Sequence, residues 1–264
     1  MYDLTLILPK VVEVAKAAGE FILAEQRNFS QTRVEAKGHN DFVSHVDRTS
    51  ERMIVDALRT LLPDAGFVTE EGTAQMDHRP LKWVIDPLDG TTNFVHGVPF
   101  FAVSIGLVDG ATPVLGVVHE LGRMETFTAT AGGGAYMNGS PIRVSQSPTL
   151  AQSLLGTGFP YTDFGQMERY LDLFRHLMQH SRGLRRPGSA ATDLAYVACG
   201  RFDGFFEYGL SPWDVAAGAC LVREAGGTVT DFTGGDTYIN GRQIVAANAL
   251  THGELRSTVA RFML

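Results

Sequence analysis

The chain has 264 residues, long enough to bury about 73% of its unfolded surface on folding, which excludes a bare peptide, a disulfide-stapled mini-domain and a linker. Hydrophobic residues make up 44% and charged residues 19%, a globular rather than a disordered composition. Acids outnumber bases 29 to 22, for a formal charge of −7, which weighs against a protein that grips nucleic-acid phosphates but leaves anionic small substrates open, because bound metal ions invert the charge of an acidic site.

Leu4, Leu8, Val11, Val12, Ala15, Ala18 and Ile22 recur at three- and four-residue steps and predict an amphipathic helix over about residues 4–26. A polar, Gly-containing stretch at Lys37-Gly38-His39-Asn40-Asp41 separates it from a second helix over about residues 44–62, stopped by Pro63. From Gly66 to Val118 the pattern changes to short apolar runs between turn residues. Strands are predicted at 67–69, 83–85, 101–108 and 114–119. The meander continues at 124–129 and 135–137, with Gly132-Gly133-Gly134 and Asn138-Gly139 as turns. Such short connections predict antiparallel pairing.

The C-terminal part alternates instead. Helices are predicted near 167–180 and 189–200, after Pro212 as far as Gly226-Gly227, and from about His252. Strands fall between them at 182–184, 202–207, 228–230 and 244–247. The expected fold class is α/β of an α+β type, helices layered against two sheets. The chain reads as one unit over 1–264, with a seam near 147–153 between an N-terminal α+β half and a C-terminal α/β half. Cys199 and Cys220 sit in apolar helical patterns, outside Cys-x-x-Cys spacing, and read as core residues. With no signal-peptide pattern at the start and no apolar run of about 20 residues, the expectation is a soluble, cytoplasmic protein with no membrane partner.

The informative segment is Trp83-Val84-Ile85-Asp86-Pro87-Leu88-Asp89-Gly90-Thr91-Thr92-Asn93-Phe94. An apolar strand ends directly in two acids, with Pro87 and Gly90 shaping the backbone around them. Two carboxylates so placed suit a hard cation such as Mg²⁺, which takes oxygen ligands and shares them with phosphate. Gly90-Thr91-Thr92 can begin a helical turn whose free amides meet phosphate oxygens. The same residues also make an ordinary strand-to-helix turn, and that reading stays open on this segment alone. Glu70-Glu71 stand at a second strand end and Asp214 at the start of an Ala- and Gly-rich helix, where an acid also serves as a structural cap. Acids converging from three element ends repel one another unless cations neutralise them.

At these residues the chain resembles the inositol monophosphatase family. Asp86 to Phe94 is similar to the first family signature, and Trp213-Asp214-Val215-Ala216-Ala217-Gly218 with Glu224-Ala225-Gly226-Gly227 to the second. Glu70-Glu71 and residues 37–47 match further segments, and the resemblance runs in order from about residue 5 to 260. Bacterial members are nearest in character, in Gly188-Ser189-Ala190-Ala191 and Gly204-Phe205-Phe206-Glu207. The resemblance implies a layered α-β-α-β-α sugar phosphatase fold and a Mg²⁺-dependent phosphomonoesterase acting on a small phosphate ester by metal-activated water. It also implies a homodimer and, commonly, lithium sensitivity. Carried over by position, Glu70, Asp86, Asp89, Asp214 and the Leu88 carbonyl are metal ligands. Gly90 and Thr91 meet phosphate or the attacking water, Glu70 and Thr91 position that water, and Asp47 orients Thr91. Ala190 and Glu207 meet the alcohol portion of the substrate.

Inositol monophosphate ranks first as substrate because both signatures and Glu207 fit that branch. Histidinol phosphate, fructose 1,6-bisphosphate, NADP(H) and 3′-phosphoadenosine 5′-phosphate are its rivals. A different class of reading is a regulatory protein using the fold as a platform for RNA or the transcription machinery. Gly156-Thr157-Gly158-Phe159-Pro160 lies where bacterial members line the site, and reads equally as a turn. Gly132-Gly133-Gly134 lacks a following Lys-Ser/Thr and helix, so a hairpin turn is expected rather than a phosphate cradle. The histidines lack metal-ligand spacing, the serines lack a Gly-x-Ser-x-Gly elbow, and Arg182, Arg185 and Arg186 read first as a solvated face or subunit contact, with phosphate steering or RNA contact as the lesser readings.

Overall fold

The computed structural model describes residues 3–27, 34–36, 42–76, 79–161 and 163–264. Helices α1 (Leu4–Arg27) and α2 (His45–Leu61) form within a residue or so of the bounds that periodicity predicts. An antiparallel pair lies between them, β1 (Val34–Ala36) and β2 (Phe42–Ser44). The polar stretch Lys37 to Asp41 lies outside the described residues.

Seven strands follow in one sheet, ordered as in sequence: β3 (Gly66–Thr69), β4 (Leu81–Asp89), β5 (Ala102–Asp109), β6 (Thr112–Glu120), β7 (Glu125–Thr130), β8 (Gly134–Met137) and β9 (Ser140–Ile142). Pairing is antiparallel from β4 onward, as short connections require. The exception is β3 with β4, which are parallel, with Gly66 opposite Lys82 and Thr69 opposite Ile85. Met124, expected to open a strand, instead sits in the left-handed region at φ 56°, and β7 starts after it.

The second sheet is mixed, in the order β11-β10-β12-β14-β13. Its strands are β10 (Leu154–Thr157), β11 (Gly183–Arg185), β12 (Gly204–Tyr208), β13 (Gly227–Thr230) and β14 (Gln243–Asn248). Helix α4 (Met167–His180) connects β10 to β11, which are parallel; α5 (Ala190–Ala198) precedes β12, and α6 (Pro212–Glu224) and α7 (His252–Met263) follow.

Three apolar cores stack between these layers. Helices α1 and α2 pack Val11, Ile22, Ile54 and Leu58 onto Trp83, Ile85 and Ile105 on the outer face of the first sheet. The opposite face of the same strands, including Val84 and Val118, meets α5, α6 and the second sheet. Beyond that sheet, α4 and α7 enclose Leu173, Leu177, Val245 and Leu255. The result is an α-β-α-β-α sandwich. Central strands buried on both faces read as near-continuous apolar runs, which explains why their sequence shows so little alternation.

Helix α6 lies unusually close to the first sheet. A Cβ added to Gly106 would stand 3.1 Å from the Ala216 Cβ, and one on Gly116 would collide with the Ala217 carbonyl oxygen. Two glycines on adjacent strands and the small residues of α6 therefore set the gap between layers. The triglycine segment is a turn between β7 and β8, its Gly132 and Gly134 amides donating to the Glu224 carboxylate at 3.0 Å each. Among the described residues no helix is long and apolar enough to cross a membrane.

Candidate functional site

Strand β4 does not end cleanly. Its register against β5 slips between Asp86 and Asp89, so Pro87 and Leu88 bulge. The Asp86 carboxylate accepts the Leu88 amide at 2.9 Å, and the Leu88 carbonyl accepts the Thr91 hydroxyl at 3.0 Å. Gly90 then turns with φ 94°, and helix α3 (Thr91–His96) starts. A side chain at Gly90 would be strained there and would meet the Phe100 carbonyl at 2.9 Å. The strand-to-helix turn and the acid pair are thus one piece of backbone.

Two more acids reach the same point. Asp214, in the first turn of α6, accepts the Ser211 amide at 2.7 Å. Asp86, Asp89 and Asp214 each offer a carboxylate oxygen within 4.8 Å of the others. Glu70, just past β3, lines the same cleft and raises the proton affinity of Asp86. Burial first, then the charges of Glu70, Asp89 and Asp214, push the Asp86 carboxyl well above the usual range. Asp89 is pushed up to about 6, chiefly by burial, against the hydrogen bonds that favour its charged form. This donor set is all oxygen, crowded and electrostatically uncomfortable, and it fits a hard divalent cation.

The cleft measures about 340 Å³, and its opposite wall comes from the second half of the chain. Ser189 caps α5, accepting the Thr192 amide and donating to Asp89 Oδ2 at 2.6 Å. The Ala191 amide donates to the same oxygen at 2.7 Å. Gly90, Thr91, Ala190 and Glu207 all line the cleft, with Glu207 buried on β12. Asn93 ties the walls together, its amide nitrogen donating to the Phe100 and Pro187 carbonyls at 2.7 and 2.9 Å. Asp47 is buried in the first turn of α2, outside the lining.

One expectation needs correcting. Arg182 and Arg185 are exposed, but Arg186 turns into the cleft. Its guanidinium lies over the Phe159 and Tyr161 rings, at 5.3 and 5.4 Å, and donates to the Tyr161 hydroxyl at 2.8 Å. Phe159 and Tyr161 line the cleft with it, so the 156–160 segment is more than a turn. Sequence reasoning also missed Ser189 as a partner of Asp89, and Asp193 as a buried acid of the cleft. A signal for Asp193 existed: every residue of α5 is buried, and Asp193 is the one charge among them.

The family profile described as the inositol monophosphatase family matches residues 3–263. The Nus factor SuhB of Pseudomonas aeruginosa is 45% identical over 253 residues, covering 94% of this chain and 93% of that protein. Among solved structures, the extragenic suppressor protein suhB from Bartonella henselae superposes with a TM-score of 0.89 at 39% identity, over 96% of this chain and 98% of the other. An inositol monophosphatase from Anabaena gives 0.87 at 37% identity, over 99% and 98%.

Proposed function

The chain belongs to the inositol monophosphatase family, and from that premise we propose that it is a Mg²⁺-dependent phosphomonoesterase hydrolysing inositol monophosphate to inositol and phosphate. The observation that carries the reading is the meeting of Asp86, Asp89 and Asp214, brought from both halves of the chain to within 4.8 Å of one another.

In this reading Glu70, Asp86, Asp89, Asp214 and the Leu88 carbonyl hold the metal. Divalent cations there supply charge neutralisation for a phosphate dianion and make water a better nucleophile. The protein's own groups do the rest. The Gly90 and Thr91 amides, fixed by the left-handed turn, meet phosphate oxygens. Glu70 and the Thr91 hydroxyl position the attacking water in line with the ester bond, with Asp47 orienting Thr91 from α2. Glu207 and Ala190 hold the alcohol being released. Hydrogen bonds from Ser189 and the Ala191 amide aim Asp89 and favour its charged form, against the burial that raises its proton affinity. The water oxygen bonds to phosphorus as the ester P–O bond breaks; that bond's electron pair leaves on the alcohol oxygen, which takes up a proton from solvent, and no covalent enzyme intermediate is required. A homodimer in the cytoplasm, inhibited by lithium, completes the proposal.

A second role is supported by the Nus factor name of the Pseudomonas relative: contact with the transcription machinery or RNA. Phosphate release from inositol 1-phosphate, histidinol phosphate, fructose 1,6-bisphosphate, NADP and 3′-phosphoadenosine 5′-phosphate, with and without Mg²⁺ and Li⁺, tests the assignment. Mg²⁺-dependent turnover led by inositol monophosphate supports it. No turnover on any of these esters leaves the regulatory role in its place.

A further inference from the structure

Helix α4 ends on the run His176-Leu177-Met178-Gln179-His180. Residues four apart on a helix are neighbours on one face, and the two imidazoles stack with centroids 4.0 Å apart and planes 20° apart. This His-x-x-x-His pair corrects the expectation that the histidines lack metal-ligand spacing. Neither residue lines the acidic cleft. Helix α4 packs instead with α7, beyond the second sheet.

Hydrogen bonds settle which ring nitrogen each histidine has to offer. His180 Nδ1 lies 2.8 Å from the His176 carbonyl oxygen. A carbonyl only accepts, so Nδ1 carries the proton and the neutral ring keeps its lone pair on Nε2. Arg261, on α7, donates to His176 Nε2 at 3.0 Å. A guanidinium only donates, so this Nε2 carries a lone pair as well. Metal-ligating histidines commonly donate their other ring N–H to a carbonyl, which fixes ring and tautomer, and His180 already does so. His176 is held between the His180 ring and the Phe262 ring, the latter 5.3 Å away. His176 is half-buried and His180 exposed, so an ion reaches the pair from solvent without opening the fold.

The charge that opposes an ion is Arg261, whose guanidinium now stands at the His176 lone pair. Its side chain is exposed and moves into water at little cost. Arg175, on the same helix, is paired with Asp172 at 2.7 Å. The carboxyl end of α4 places partial negative charge beside the pair, which favours a cation there. Nitrogen ligands select the ion: imidazole suits Zn²⁺, Ni²⁺ and Cu²⁺, whereas Mg²⁺ takes oxygen.

We propose that His176 and His180 form a second metal site, a two-nitrogen clamp at the end of α4 for a divalent transition ion such as Zn²⁺, with water completing the coordination shell. The site is separate from the acid cluster and independent of the phosphatase reading.

Equilibrium dialysis of the untagged chain against Zn²⁺, with Mg²⁺ in excess, tests it. The unaltered protein is expected to bind a Zn²⁺ ion whose affinity falls about tenfold or more in His176→Gln and in His180→Gln, at least the loss seen when a group supporting a metal ligand is removed. Both positions reach the surface, so the variants are expected to melt with the unaltered protein. Asp214→Asn is expected to retain this ion, which separates it from any Zn²⁺ held by the acid cluster. Arg261→Gln frees the His176 lone pair and is expected to tighten binding about threefold, the value of the hydrogen bond given up. Zn²⁺ affinity unchanged by both histidine substitutions, or lost only with Asp214→Asn, overturns the site. So does the absence of Zn²⁺ binding by the unaltered protein, whatever its activity on phosphate esters.

Discussion

The Glu51 carboxylate accepts the amide hydrogen of Glu71 at 2.7 Å, so α2 holds the loop that presents Glu70 to the cleft. The same buried carboxylate takes the Thr73 amide at 2.8 Å and the Thr73 hydroxyl at 2.7 Å. Glu51→Ala strands those donors and is expected to cost about 3 kcal/mol, measured by urea denaturation, since each unsatisfied buried group costs about 1–3 kcal/mol. Because Glu70 moves with the loop, the Mg²⁺ concentration for half-maximal phosphate release should also rise. Glu51→Gln, which keeps an acceptor, should recover part of both losses.

Ser189 and Asp89 join the two halves of the chain at the site itself. Ser189→Ala removes the 2.6 Å bond to Asp89 Oδ2 and the cap on α5, leaving the Ala191 amide in place. Steady-state kinetics should show kcat/KM down about tenfold, the value of one charge-assisted hydrogen bond, with stability lower by about 1 kcal/mol from the lost cap.

Layer spacing gives a prediction remote from chemistry. Gly116→Ala drives a methyl group into the Ala217 carbonyl oxygen, and neither sheet nor helix can yield without disturbing the other. A loss of about 2 kcal/mol is expected, within the range for overpacked cores. A melting temperature equal to the unaltered protein would contradict the close approach of α6.

His119 sets a pH dependence. It is 2% exposed on β6, and burial first, with the charge of Lys16, lowers its pKa to about 4. The unfolded chain, near 6.5, binds the proton more readily than the folded one between these values. The contribution of His119 to stability is therefore level above about pH 7 and falls as pH drops from about 6.5 towards 4, by up to about 3 kcal/mol. The raised carboxyls Asp86 and Asp89 act in the opposite sense, so the contribution is read as the difference between the unaltered protein and a His119 variant. Urea midpoints at pH 7.5 and 5 for the unaltered protein and His119→Asn check this: the variant should lose less stability, or gain more, on going to pH 5.

Much of the site was readable because it is local. Asp86, Pro87, Leu88, Asp89 and Gly90 fall within one bulge and turn, and each residue type is the one that backbone needs. Helix bounds were readable because α1 and α2 each bury one stripe. What stayed hidden depends on tertiary direction. Nothing in the neighbourhood of Arg186 says that it turns inward while Arg182 and Arg185 face solvent, since the Phe159 and Tyr161 rings that receive it lie some 25 residues away. The parallel pairing of β3 with β4 was hidden too, since the sequence between the two strands carries no periodic signal. Met124 in a left-handed turn defeats propensity, because only Gly, Asn and Asp visit that region readily.

Asp214 bears most directly on the central claim, that the clustered carboxylates form a divalent-metal centre for phosphate-ester hydrolysis. Asparagine in its place keeps a side-chain oxygen for the Ser211 amide but removes a charge from the cluster. The decisive measurement is phosphate release from inositol 1-phosphate as free Mg²⁺ is varied, for the unaltered protein and for Asp214→Asn. The account predicts release that saturates with Mg²⁺, vanishes with chelator and returns on adding Mg²⁺. For Asp214→Asn it predicts rates lower by about a hundredfold or more, the scale of losing metal-assisted charge stabilisation, with melting little changed. Release indifferent to chelator, or a near-normal rate in folded Asp214→Asn, would contradict it.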